Sequence, residues 1–216
     1  SDRIYAFGTG EVQSNAVKEL KRNLLSIGKL VNAIEGNDEM EIMTNFMTES
    51  DMIFFISLSG ENKRLNKFAK ILKDKGISIV CSAGNNGDGN PDTDELEYPS
   101  CYEEVINVGA IDINKRIAPY SNSNTYVDLC AVGTDITSTY KEGDKWCRCS
   151  GTSMSTPIVS GFLALLKEKF IYQWDRSPSE KELYARLIKN TVEVKGLKPH
   201  ELGNGFLYYT DTDDDL

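Results

Sequence analysis

A chain of 216 residues, 40% of them apolar, is long enough to bury the core of one α/β body. Its net charge of −9 excludes partners recruited through a basic surface, nucleic acid and anionic membranes above all, and no apolar run reaches the length of a membrane span. Five cysteines are too few, and odd in number, for a disulfide framework; with no secretory or transit segment at the start, the expectation is a cytoplasmic protein with reduced thiols.

Hydrophobic periodicity predicts the elements in order. A strand over 3–7 leads through Gly8-Thr9-Gly10 to a helix over 14–27, a strand over 30–34 and a helix over 38–48, where Met40, Met43 and Met47 are spaced for one buried face. The apolar run 51–57 reads as a strand and 62–75 as an amphipathic helix with Leu65, Phe68, Ala69 and Leu72 on one side. After a helix stop at Gly76, 77–82 reads as a strand buried on both faces. Further strands are expected over 105–111, near 127–131 and over 136–149, with helices over 153–170 and 179–191. No linker interrupts the series. The expected fold class is α/β, a three-layer αβα sandwich around a mostly parallel central sheet, with 1–216 as a single domain and 210–216 as a solvated acidic tail.

Two features suggest chemistry and have simpler readings. Cys147-Arg148-Cys149, with Cys130 upstream, has the composition of a thiolate cluster, but no fourth ligand stands at zinc-site spacing and alternate side chains of a strand explain the pair. His200, after Pro199 in a polar stretch, reads as a surface histidine. No metal and no cofactor is expected.

The stretch Gly151-Thr152-Ser153-Met154-Ser155-Thr156-Pro157 is the most informative. Small residues around Ser153 let a substrate backbone approach, and the apolar Ile158 to Leu166 starts a helix whose N-terminal amides favour developing negative charge. The plainer alternative is that Ser153 only caps that helix. Ser82-Ala83-Gly84-Asn85-Asn86-Gly87 lies upstream, followed by Tyr98-Pro99-Ser100-Cys101-Tyr102, Val105 to Asp112, Tyr120-Ser121-Asn122, Val127-Asp128-Leu129, Gly133 to Thr139 and, last, Gly203-Asn204-Gly205. In order and spacing these segments resemble the subtilisin-like serine peptidases, the subtilases, over 81–209. The resemblance implies Ser153 as nucleophile and Asn85 as oxyanion-hole donor. It also implies a peptide substrate bound along Ser57, Leu58, Ser59, Gly60, Ser82, Ala83 and Gly84.

Residues 2–80 depart from that family: glycine stands in Ala6-Phe7-Gly8-Thr9-Gly10 where subtilases carry their aspartate, and no histidine follows. Ile4 to Glu11, and Asp51 to Glu61 with its Ser57-Leu58-Ser59-Gly60-Glu61 loop, are similar to the sugar isomerase (SIS) domain, the phosphosugar-binding module of RpiR-type regulators. That resemblance implies a phosphosugar held by Thr9, Ser14, Ser57, Ser59 and Glu61, although Glu11 would repel a phosphate. Glycines and serines that merely make tight βα turns are the alternative.

The combined reading is a chimera, engineered or recombined. A flavodoxin-like, SIS-like half over 1–80 would join a subtilisin-like half over 81–209, through a junction near Gly76 to Val80 that keeps the sheet continuous. With the aspartate and histidine segments missing, the chain is expected to be a peptidase remnant without efficient activity. Two alternatives stand: a subtilisin-like serine endopeptidase using Ser153 in an assembly that supplies the missing groups, and a phosphosugar-binding sensor. The expected partners are therefore a peptide or a phosphosugar, and the oligomeric state is not legible.

Overall fold

The computed structural model describes residues 3–57, 63–140 and 146–209. Contacts divide the chain into two compact units, Ser1–Ser78 and Ile79–Leu216.

The first unit is a three-stranded parallel sheet of order β2-β1-β3, built from β1 (Ile4–Gly8), β2 (Val31–Ile34) and β3 (Met52–Ile56). Alternation along β1 sends Ala6 to one face, where Val17 of α1 (Glu11–Ser26) and Val31 close over it. Phe7 faces the other way and meets Phe68 of α3 (Lys63–Asp74) and Phe55 edge to face, each at 6.3 Å. Helices thus cover both faces, which is what a parallel sheet requires. The helix expected over 38–48 is shorter: α2 spans Gly36–Thr44, and Met47, though buried, lies beyond its end. Arg3 grips the buried Asp51 with two nitrogens, at 2.9 and 2.7 Å. Burial pushes the Asp51 carboxyl up, but hydrogen bonds from Arg3 and Thr48 outweigh it and hold the group below its ordinary range.

The second unit carries a five-stranded sheet of order β4-β5-β6-β10-β9. Its strands are β4 (Val80–Ser82), β5 (Ile106–Ile111), β6 (Leu129–Val132), β9 (Thr191–Val192) and β10 (Phe206–Leu207); only β9 runs antiparallel to its neighbour. All six residues of β5 are buried, as a central parallel strand covered on two sides demands. Ile106 and Val108 point to α4 (Thr152–Trp174), packing with its Val159, Phe162, Leu163 and Leu166 and with Leu183 and Leu187 of α5 (Glu180–Lys189). The opposite face holds Ala83, Ile111, Cys130, Phe206 and, from α6 (Pro199–Leu202), Leu202.

Both units are mixed α/β with parallel-rich sheets, the class expected from the periodicity. Other expectations fail: in place of one continuous sheet each unit has its own, and β4, expected over 77–82 and buried on both faces, is three residues long and half-buried. The stretch 136–149 is not one strand but two arms, β7 (Ile136–Thr139) and β8 (Trp146–Cys149), paired antiparallel with Ile136 opposite Cys149 and Thr139 opposite Trp146. His200 sits in α6 rather than in a loop.

Candidate active site

The start of α4 and the loop after β4 meet at Thr152. Gly151 caps the helix, Thr152 is fully buried and Ser153, the second helical residue, is exposed. The backbone N–H and the hydroxyl of Thr152 both donate to Asn85 Oδ1, at 2.9 and 3.0 Å. These two donors fix the carbonyl end of the Asn85 amide against the helix start. Its Nδ2 end is left without an acceptor among the described residues, as is the N–H of Ser153. A free amide and a free helix-terminal N–H, carried on two neighbouring segments, are the donor types that stabilise an oxyanion.

The loop is shaped from below. Gly84 has φ of 111°, in the left-handed region, and a Cβ there would run into Glu97 Oε2 and Asn122 Nδ2, so only glycine fits. Asn122, 1% exposed, accepts from Asn86 N–H at 2.7 Å and donates its own N–H to Gly84 O at 3.2 Å. The helix start is tied in the same way: Gly151 N–H donates to Gly133 O at 2.8 Å, and the Ser155 hydroxyl donates to Ala131 O at 3.0 Å. Gly133 leaves room for the Ser155 hydroxyl, which a Cβ would displace. Pro157 lies inside α4 and contributes no N–H, so the carbonyl of Ser153 receives no intrahelical bond from it.

Of the residues singled out in the sequence, Ser153, Asn85, Ser82, Ala83 and Gly84 belong to this second unit and to these two segments. Ser82 ends β4, Ala83 is buried with its N–H on Val108 O at 2.9 Å, and Gly84 is buried. Ser57 follows β3, and its hydroxyl accepts from Thr9 Oγ1 at 3.1 Å; Ser14 is in the first turn of α1. Leu58, Ser59, Gly60 and Glu61 lie outside the described residues, as does the acidic tail 210–216. His200 Nδ1 is 3.5 Å from Asp94 Oδ1, and no described hydrogen bond or ion pair joins it to Ser153. Thr152 and Asn122 hold these segments in place, and sequence reasoning did not single them out for it. Both lie in segments singled out for resemblance, but their roles depend on partners 67 and 36 residues away.

A family model described as the subtilase family matches residues 22–205. The intracellular serine protease of Paenibacillus polymyxa is 52% identical over 134 residues, 62% of this chain and 40% of that protein. The major intracellular serine protease of Bacillus subtilis (strain 168) is 37% identical over 196 residues, 88% of this chain and 61% of that one. The minor extracellular protease Epr of the same organism is 29% identical over 200 residues, 92% of this chain and 28% of its own length. The chain therefore spans less than two thirds of the length of each of these relatives.

These matches overturn the chimera. The supposed junction near Gly76 to Val80 falls inside one continuous family match, and nothing supports a sugar isomerase half or a phosphosugar ligand. The misleading signal has a physical origin. Glycines and serines after parallel strands are what any βα turn demands, so Gly8-Thr9-Gly10 and Ser57 say little about family. In the structure the hydroxyls of Thr9 and Ser57 bond each other.

Proposed function

Since the chain belongs to the subtilase family, we propose that it acts as a subtilisin-like serine endopeptidase in which Ser153 is the nucleophile and Asn85 the oxyanion donor. The supporting observation is the clamp of Thr152 on Asn85 Oδ1, which turns the amide nitrogen outward beside the start of α4. In this reading Ser153 Oγ attacks the peptide carbonyl, and the charge arising on its oxygen is received by Asn85 Nδ2 and the Ser153 N–H. Collapse releases the amine and leaves an acyl-enzyme on Ser153, which water then hydrolyses. Ser82, Ala83 and Gly84, leading into the same loop, line the approach of the peptide. His200 lies 3.5 Å from Asp94, and no described hydrogen bond joins it to Ser153; in this reading the Ser153 proton passes to a base supplied in an assembly. Five free cysteines, and the word intracellular in the names of two relatives, support a cytoplasmic location.

The experiment is covalent labelling with a fluorophosphonate ester, located by mass spectrometry. A single adduct on Ser153 is expected, absent in Ser153→Ala and slowed by about 10²- to 10³-fold in Asn85→Ala. Modification no faster at Ser153 than at the exposed Ser160 would overturn the assignment.

A further inference from the structure

Cys147 and Cys149 play no part in the reading of Ser153 given above. They occupy alternate positions of β8, so both side chains leave the same face of the strand, half-buried, while Trp146 and Arg148 are exposed. Their Sγ atoms are 3.5 Å apart, and neither is in a disulfide. Of the other thiols, Cys101 and Cys130 are buried, and burial pushes Cys81 up to about 11 and Cys130 up to about 12; the hydrogen bond with Cys149 raises Cys147 as well.

Strand geometry decides what the pair can do. A disulfide needs sulfurs ~2.05 Å apart and Cα atoms within ~6.8 Å. Alternate residues of an extended strand are already ~6.7 Å apart, at the limit of that range. Closing the bond would pull β8 out of its register with β7, where Cys147 faces Ser138 and Cys149 faces Ile136. An ion between the sulfurs asks for no such movement. Two thiolates each ~2.3 Å from a tetrahedral zinc-like ion lie ~3.8 Å apart, close to the spacing already present. We propose that Cys147 and Cys149 form a chelating dithiolate site for a thiophilic d10 cation of the zinc class. On binding, each thiol passes its proton to solvent, two S–metal bonds form and no oxidant is consumed. Among the described residues no third ligating side chain joins the pair, which leaves coordination positions for water or an incoming ligand.

The test is titration of the full chain, kept reduced by a phosphine, with Cd²⁺ as the probe, following the ultraviolet thiolate-to-cadmium charge-transfer absorption. One Cd²⁺ per chain is expected. Cys147→Ser and Cys149→Ser should each abolish the absorption or weaken binding by about tenfold or more, with unchanged far-ultraviolet circular dichroism, while Arg148→Ser binds as the parent does. No charge-transfer absorption at saturating Cd²⁺, or an absorption that survives in both cysteine variants, overturns the site.

Discussion

The hydroxyl of Thr152 lies within hydrogen-bond reach of three groups in the loop after β4: Gly84 N–H and Gly84 O, each at 3.3 Å, and Asn85 Oδ1 at 3.0 Å. With one proton to give, it donates best to the nearer Asn85 and accepts from Gly84 N–H. Thr152→Val keeps the side-chain shape but removes both. Asn85 then retains only the backbone donor, and a buried N–H loses its acceptor, at a cost of about 1–3 kcal/mol. Denaturant melts should show that loss, and fluorophosphonate labelling of Ser153 should slow by about tenfold as the amide swings. Thr152→Ser, which restores the hydroxyl, should recover the labelling rate; unchanged labelling in Thr152→Val would mean that Thr152 does not position Asn85. The segments around Ser153 and Asn85 were legible because they form ordered motifs. Thr152, adjacent to Ser153, was not, because its partners are brought to it by the sheet and no local pattern encodes them.

Among the elements, α5 shows how a helix start couples to pH. Ser179 caps it: Glu182 N–H donates to Ser179 Oγ at 3.3 Å, and Glu182 Oε2 accepts from Ser179 N–H at 2.8 Å. Hydrogen bonds from Arg176, then from Ser179, draw the Glu182 carboxyl from 4.5 down to about 2. A carboxyl depressed on folding stabilises the native state fully above its unfolded pKa and ceases to do so as pH falls through the folded one. The parent should therefore exceed Glu182→Gln in stability at pH 6, and the gap should close between about pH 4.5 and 2. Chemical melts across that range check it; a gap independent of pH would sink the role of the charge. Elements of this length were legible, since ten or more residues establish a period, and α5 was expected within two residues of its bounds. The two-residue β9 and β10 and the four-residue α6 are too short to show one. The hairpin of β7 and β8 was missed despite Glu142-Gly143-Asp144, a turn signal between two β-rich runs that outweighs their apparent continuity.

For the molecule as a whole, α4 poses the question of what its apolar surface does. Val159, Phe162, Leu163, Leu166 and Phe170 are buried, yet Ile158, Leu165 and Tyr172 recur every seven residues along another side and are 40%, 63% and 91% exposed. Seven residues are nearly two turns, so the three form one stripe. The sequence presents Ile158 to Leu166 as a mostly apolar run, broken only by Ser160 and Gly161, and does not say which side is covered. An exposed apolar stripe promotes self-association without contributing to the folded core. The double variant Leu165→Gln, Tyr172→Gln should stay within about 1 kcal/mol of the parent in denaturant melts, since surface positions change stability little. The parent should sediment with a concentration dependence that the double variant lacks. A drop of several kcal/mol in the double variant would instead mean that these side chains are packed in solution, and the stripe would then belong to the core.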